Sequence, residues 1–414
     1  MTTNDKKEVI RDLCRKKADY LIAFRDIASL VKEEKKKTGN FGFTISDVRK
    51  MNPHFLGVLK SEGIIKITYE SHKRHDFWIA DDLTVDDIEE VVKEVESEKE
   101  VISEMAKKVL TDQTQEFLDE VEVTPKEIKR FEKILSEHDA LDYFYQNVCP
   151  KLEGMEKPRK AVLLALASHW DEAGDRYRIG VLMFGKWSTG TGKTPLLMWI
   201  KQLGGGYVGR TTTSSGLTVN LRTGAPGFFA RFHRSACAVD EIDKLEKNDR
   251  DGTLQALEEG VISFEAADVK GDYPAEAIIL GGANSISHFT PEQFARWDFR
   301  FHIEPYSIEE AQDIADYISL TMGKPKDKET EELKKFLKWV RSRRAEISDD
   351  VRKEGAELIK EYIRRSENTD IRRIQAIWRV ARSWARLNRS DVTGEYVAKA
   401  IVMLEENDSL LEED

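Results

Sequence analysis

Apolar residues return at helical spacing through Tyr20, Leu21, Phe24, Ile27 and Leu30, which predicts one amphipathic helix ended by the Lys- and Gly-bearing stretch Lys35–Gly42. Two short helices are predicted next, one capped by Thr44 over Thr44–Arg49, the other started by Asn52 and Pro53 and running to Glu62. The pattern then changes. Ile64–Glu70 and Asp76–Ala80 are β-prone runs on either side of a polar tip, Ser71–His75, and predict a hairpin. Three helices followed by a hairpin predict a winged-helix (α+β) domain over residues 1–83. From Asp86 to Glu122 the chain is acidic, with Ile88, Val91, Val92 and Val95 at helical intervals, so residues 84–123 are expected to form a solvated helical linker.

Beyond Thr124-Pro125 helical stretches run to Trp170, after which short apolar runs take over at Ile179–Gly185, Ala236–Glu241 and Ala277–Asn284. Helix-forming segments separate them, the alternation of a parallel sheet flanked by helices. Residues 124–306 are therefore expected to be an α/β core. From Ser307 onward helical periodicity alone remains, over 333–347, 351–365, 370–387 and 393–404, and predicts an α-helical lid over 307–414.

Composition narrows the class. Of 414 residues, 40% are hydrophobic and 34% charged, with only 25 Gly and 10 Pro, which excludes a fibrous or disordered chain. No apolar run approaches the roughly 18 residues of a membrane span, and Met1–Lys7 is polar without an apolar stretch behind it. A cytoplasmic protein with no membrane partner is expected, nucleoid-associated if its source is prokaryotic. Cys14, Cys149 and Cys237 stand singly, giving neither a disulfide framework nor a CxxC metal clip. With a net charge of −11, any contact with nucleic acid must be local.

The strongest motif is Ser188-Thr189-Gly190-Thr191-Gly192-Lys193-Thr194, between a strand-like run and the helix-like Pro195–Gln202, where a phosphate-binding P-loop must sit. Glycines 190 and 192 let backbone N–H groups curl around phosphates, Lys193 reaches the β and γ oxygens, and Thr194 offers a hydroxyl to Mg2+. The first glycine of the motif is replaced by Trp187, the nearest upstream glycine being Gly185. Standing alone, such a segment also reads as a Gly-rich surface turn. Its companions bear on that choice. Asp240 and Glu241 end an apolar strand and suit holding hydrated Mg2+ and polarising an attacking water, although with Asp243 they would also cap a following helix. Asn284 ends a further strand and can hold a lytic water or simply form a turn. Arg296 and Arg372 can neutralise transition-state charge or serve as surface salt bridges.

P-loop, Asp-Glu strand end, strand-terminal Asn, Arg and a helical region with another Arg follow the motif order of AAA+ ATPases. Four segments make the chain resemble the minichromosome maintenance (MCM) helicases more closely: Tyr207–Thr218, Val239–Leu245, Ala295–Phe299 and Cys149–Lys160, which look like that family's GLT, DEFDK, SRFD and P-x-I-x-G words. The similarity covers about Thr124–Asn407. It implies an AAA+ α/β core binding ATP and Mg2+, with Lys193 and Thr194 as Walker A, Asp240 and Glu241 as Walker B, Asn284 as sensor 1, Arg296 as arginine finger and Arg372 as sensor 2. It further implies active sites shared between subunits of a homo-oligomeric ring, a hexamer, acting on DNA. There are departures: family members carry an N-terminal OB-fold and zinc module where this chain reads as a winged helix. The hairpin over 262–277 has Ala266-Ala267-Asp268 at the family's lysine word, with Lys270 close by, and the insert over 219–229 is short, with Arg222 its cation.

In a winged helix, residues 53–62 would lie in the major groove with Lys60 near one end, and His72, Lys73, Arg74 and His75 would lie beside the backbone; a protein-binding module is the alternative. The arginines from Arg364 through Arg389 are expected to be solvated or intersubunit, with Trp378 and Trp384 packed between helices. The expected function is an ATP-dependent DNA motor, a replicative helicase or initiator, on single- or double-stranded DNA. Two alternatives remain, an ATP-dependent DNA-binding switch that does not unwind and a structural ring subunit.

Overall fold

The computed structural model describes residues 2–34 except 17, then 43–70, 75–97, 117–172, 174–185, 191–209, 214–220, 225–266, 269–321, 327–366 and 369–412. Two compact units result: Met1–Val109 with Asn220–Ala225 and Ser263–Asp272, and the remainder of the chain.

The first unit is built from α1 (Thr3–Lys16), α2 (Ala18–Glu34), α3 (Pro53–Ser61), a hairpin of β1 (Ile65–Glu70) and β2 (His75–Ile79), and α4 (residues 85–97). Asn52 caps α3 as expected, its side chain accepting from the Phe55 amide at 2.8 Å. Three local expectations need correction. Two helices, not one, precede Lys35, because Ile10, Leu13 and Cys14 supply just enough apolar face among charged residues to bury α1. Thr44 caps only a 3-10 turn, Ile45–Asp47. The acidic helix is no solvated connector: Val85, Ile88, Val91, Val92 and Val95 lie in the same core as α1 and α2. Its carboxylates meet the basic face of those helices, with Lys7 at 2.7 Å from both Asp87 and Glu90, Arg11 at 2.8 Å from Glu94 and Lys32 at 2.6 Å from Glu89. A charge run read as a solvated face is in fact paired.

The second unit contains α5 (Pro125–Glu137), α6 (Ala140–Phe144), α7 (Glu156–Ala167), β3 (Val181–Phe184), α8 (Lys193–Trp199), β4 (Gly206–Val208) and α9 (Ser214–Leu217). The short pair β5 (Val219–Asn220) with β6 (Ala225–Pro226) is divided between the units, with Asn220 and Ala225 in the first; α10 (Phe228–Arg231), β7 (Ala236–Val239) and α11 (Lys247–Glu259) belong to the second. The hairpin of β8 (Val261–Ala266) and β9 (Val269–Pro274) has its Ser263–Asp272 part in the first unit, while β10 (Ile278–Ala283), α12 (Pro291–Phe294) and β11 (Phe299–His302) belong to the second. Five helices close the chain: α13 (Ile308–Thr321), α14 (Asp327–Arg341), α15 (Asp349–Ser366), α16 (Ile371–Leu387) and α17 (Gly394–Glu412).

The main sheet has the order β11-β3-β10-β7-β4, all parallel. β3, β7 and β10 are buried along their whole lengths, which is why they read as unbroken apolar runs. β11 is an edge strand, and its free side is finished by Asn407 of α17: the Asn407 side chain accepts from the Arg300 amide at 3.0 Å and donates to the Arg300 carbonyl at 2.8 Å, in place of a sixth strand.

The arginines of α16 are the largest departure from expectation. Arg373, Arg379, Arg382 and Arg386 are all buried. The last carbonyls of a helix lack internal partners and carry partial negative charge. At the end of α7, Arg341 donates to Leu166 and Ser168 at 2.8 and 2.7 Å, while Arg386 donates to Ala167 and Ser168 at 3.1 and 2.9 Å. His169 follows, and burial together with Arg386, Arg382, Arg341 and Arg344 drives its pKa down to about 2 from 6.5. The imidazole is therefore neutral in the fold but takes a proton when unfolded below pH 6.5, so it costs the native state about 1.4 kcal/mol per pH unit below that value. In urea titrations, the wild type is expected to lose about 1.4 kcal/mol more than His169→Gln between pH 7.5 and 5.5; equal losses would show that His169 does not carry the effect.

Candidate nucleotide site

β3 delivers the chain to the carboxyl edge of the sheet, where ligands of open α/β folds bind. At Gly185 a Cβ would lie 2.2 Å from the Ile303 carbonyl oxygen, so only glycine lets the chain turn there. The Gly185 carbonyl accepts from Lys193 Nζ at 2.8 Å. Gly192 is left-handed (φ 80°) and packed beneath Leu152, Met155 and Tyr306; α8 starts directly after it. Burial pulls the Lys193 ammonium below its ordinary value, against the opposing pull of Asp240 and Asp243.

β10 lies between β3 and β7, and its carboxyl end must be thin if α8 and Asp240 are to meet across it. A Cβ on Gly282 would come within 2.6 Å of Leu197 and 2.8 Å of Asp240 Oδ1. With glycine there, the Thr194 hydroxyl donates to Asp240 Oδ2 at 2.8 Å and the Tyr207 hydroxyl to the same oxygen at 3.3 Å, while Oδ1 accepts the Glu241 amide at 2.9 Å. Burial and the Asp240 carboxylate push the Tyr207 hydroxyl up to about 12, so it stays a proton donor. Glu241 adopts a left-handed backbone (φ 55°), and its carboxylate forms an ion pair with Lys244. Asn284, just past β10, donates its backbone amide to Asp243 at 3.1 Å.

Beside this group opens a cleft of about 320 Å3 whose lining includes Cys149, Leu152, Gly192, Lys193, Tyr306 and Tyr317. Tyr317 of α13 donates to the Pro150 carbonyl, which ties the helix to the Cys149–Gly154 segment. Burial lifts the Cys149 thiol to about 11, so it is an inert wall. Lys193, Thr194, Asp240, Glu241 and Asn284 thus come together. Tyr207, Tyr306 and Tyr317 join them; Tyr207 heads the segment Tyr207–Thr218 noted in the sequence, where its hydroxyl had no assigned role.

Arg296 and Arg372 do not. They lie at the opposite, amino edge of the strands: the Arg296 carbonyl accepts from Arg176 at 3.0 Å, and Arg372 Nε is 3.9 Å from Glu258. Arg176 and Glu258 are themselves 3.3 Å apart, next to Asp298 and Gly180. Of the other expected site residues, Thr191 is buried. Lys60 is exposed on α3, with its ammonium 5.9 Å from the Phe77 ring centre. Lys270 occupies the second position of β9 and its side chain is outside the described residues, as are Lys73, Arg74, Trp187, Ser188, Thr189, Gly190 and Arg222.

Parallel order, Lys193 at the head of α8 and the paired hydroxyl and carboxylate fit a P-loop nucleotide-binding core. Residues 127–302 match the family described as the MCM P-loop domain, and over this region the chain is MCM-like. It is 24% identical to an uncharacterised MCM-type protein of Methanocaldococcus jannaschii over 330 residues, 68% of this chain and 47% of that one. It is 22% identical to the minichromosome maintenance protein MCM of Saccharolobus solfataricus, over 70% of this chain and 48% of that one. The rat DNA helicase MCM8 is 31% identical over 40% of this chain and 22% of its own length. The chain spans about half the length of the two archaeal relatives. Among the described residues no helix is long and apolar enough to cross a membrane.

Proposed function

We propose that this chain is an ATP-dependent DNA motor of the MCM kind that hydrolyses ATP between neighbouring subunits of a ring. The observation that carries the reading is the split of its polar and charged groups: Lys193, Thr194 and Asp240 at one edge of the sheet, Arg296 and Arg372 at the other. Five short parallel strands lie between the two sets, so these arginines serve a phosphate bound by another copy. The head-to-tail contact that results closes as a ring, with a homohexamer the form proposed.

Thr194 directs its proton to Asp240, which leaves its lone pairs for a cation, and the hydroxyl–carboxylate set suits Mg2+. When bound, the metal would neutralise charge on the transferring phosphate. Lys193 and the turn over Ser188–Thr194 hold the phosphates, Glu241 polarises water and Asn284 orients it. The cleft under Tyr306 and Tyr317 takes the base. The first unit acts as the DNA-recruiting winged helix, through Lys60, Lys73 and Arg74, while Arg222 and Lys270 meet DNA from the two hairpins. A cytoplasmic location, nucleoid-associated if the source is prokaryotic, goes with that proposed role.

A second reading, a DNA-bound assembly switch without unwinding, is favoured by the Lys244–Glu241 ion pair, which holds the water-polarising carboxylate. The test is hydrolysis by the purified protein with and without single- and double-stranded DNA, alongside displacement from a forked duplex. DNA-stimulated turnover with displacement is expected. Binding of ATP and DNA without displacement would leave the switch, and no ATP binding would reject both.

A further inference from the structure

We infer that Tyr207 is a positioning residue for the cation site, acting through Asp240; the inference rests on the ATP-binding reading above. A carboxylate that takes part in cation binding has to keep one orientation, and a carboxylate that can rotate loses part of its affinity to the ordering it must undergo. Asp240 is fixed from three directions: the Glu241 amide holds Oδ1, and the hydroxyls of Thr194 and Tyr207 converge on Oδ2. Of the three donors, the amide belongs to the adjacent residue and Thr194 is a proposed ligand in its own right. Tyr207 is not a proposed ligand, and its hydroxyl meets the site at Asp240 Oδ2.

Its own placement is well supported. Tyr207 is the middle residue of β4, whose neighbours Gly206 and Val208 pair with Cys237 and Val239 of β7, and the Asp240 amide donates to the Val208 carbonyl at 2.8 Å. The strand that presents the phenol is thus hydrogen-bonded to the strand that presents the carboxylate. Lys201 places its ammonium 5.4 Å from the centre of the Tyr207 ring, which restrains the ring independently of the hydroxyl. Removing the hydroxyl alone should therefore leave the ring in place and free the carboxylate.

The test compares wild type with Tyr207→Phe in three measurements: thermal melting, direct Mn2+ binding in the presence of a non-hydrolysable ATP analogue, and binding of a fluorescent ATP analogue across a Mg2+ titration. The expected result is an unchanged melting temperature, half-saturating Mg2+ and Mn2+ raised about 10- to 100-fold, and unchanged nucleotide affinity at saturating Mg2+. Superimposable metal titrations would overturn the inference while leaving nucleotide binding intact. Failure of the wild type to bind the analogue at any Mg2+ concentration would remove the ATP reading and this inference with it. Should Tyr207→Phe melt early, Lys201→Met serves as the second variant: it disturbs the ring but keeps the hydroxyl, and a metal shift as large as that of Tyr207→Phe would refute the role of the hydroxyl.

Discussion

Replacing Asp298 by Ala is expected to lower the stability of the α/β unit by about 3–5 kcal/mol, read as a fall in the urea midpoint at constant slope. Asp298 is 2% exposed. One carboxylate oxygen accepts from Arg176 at 2.6 Å and from the Gly180 amide at 2.8 Å; the other accepts from Arg379 at 2.9 and 2.6 Å. Burial alone would raise its pKa, but Arg176 and Arg379 hold the carboxyl below the ordinary value. Arg176, for its part, is drawn down to about 10 chiefly by burial, with Arg379 and Arg178 adding to the fall and Asp298 and Glu258 opposing it. Take the carboxylate away and two buried guanidinium groups are left with Glu258, 3.3 Å from Arg176, as their nearby counter-charge, alongside an orphaned amide just before β3. The same contacts hold the loop that carries Arg296, so the substitution should also abolish turnover. Replacing Asp298 and both arginines by apolar residues of matching size should recover much of the stability but not the activity. A loss below about 1 kcal/mol in Asp298→Ala would show that solvent reaches these arginines.

The difference between what could and could not be read from the sequence follows from how each element is buried. β3, β7 and β10 are apolar throughout because helices cover both faces, so they stand out as runs. β4 is three residues long and β11 alternates, as an edge strand covered on one side must, and neither raised a signal. The stripe of α4 was visible, yet a stripe says that a helix has an apolar face and not what covers it; only the fold shows α1 and α2 there. Arginines at helical spacing in α16 look the same whether water or a helix end receives them. For Arg386 it is the end of α7, more than two hundred residues earlier in the chain, while Arg379 meets Asp298 and Arg373 meets Asp408. Lys193, Thr194 and Asp240 were legible because phosphate and cation chemistry constrain residue type and spacing together. Tyr207, Tyr306 and Tyr317 were not, because an aromatic residue is usually part of a core and only its neighbours in space give its hydroxyl a role.

Mixing two inactive variants tests the division of the site between copies. Lys193→Ala removes the phosphate-contacting cation and is expected to reduce hydrolysis to background. Arg296→Ala leaves the chain's own Lys193, Thr194 and Asp240 untouched, since it lies at the far edge of the sheet, and should still bind nucleotide while turnover falls about 10³-fold or more. In an equimolar mixture, an interface is whole only where an Arg296→Ala chain supplies the phosphate site and a Lys193→Ala chain supplies the arginine. Random head-to-tail assembly makes about one interface in four of that kind, so roughly a quarter of wild-type turnover should return if each interface fires independently. If a single chain built its own complete site, no mixture of the two variants would recover any activity at all. Asp298→Ala is the control that separates position from folding. It disorders the arginine edge and its own β3, so it should rescue neither partner, whereas Arg296→Ala and Lys193→Ala, each folded, rescue one another. Rescue that follows the product of the two variants' fractions as their ratio is changed would establish that one catalytic site is made by two chains. A response linear in either fraction alone would reject it.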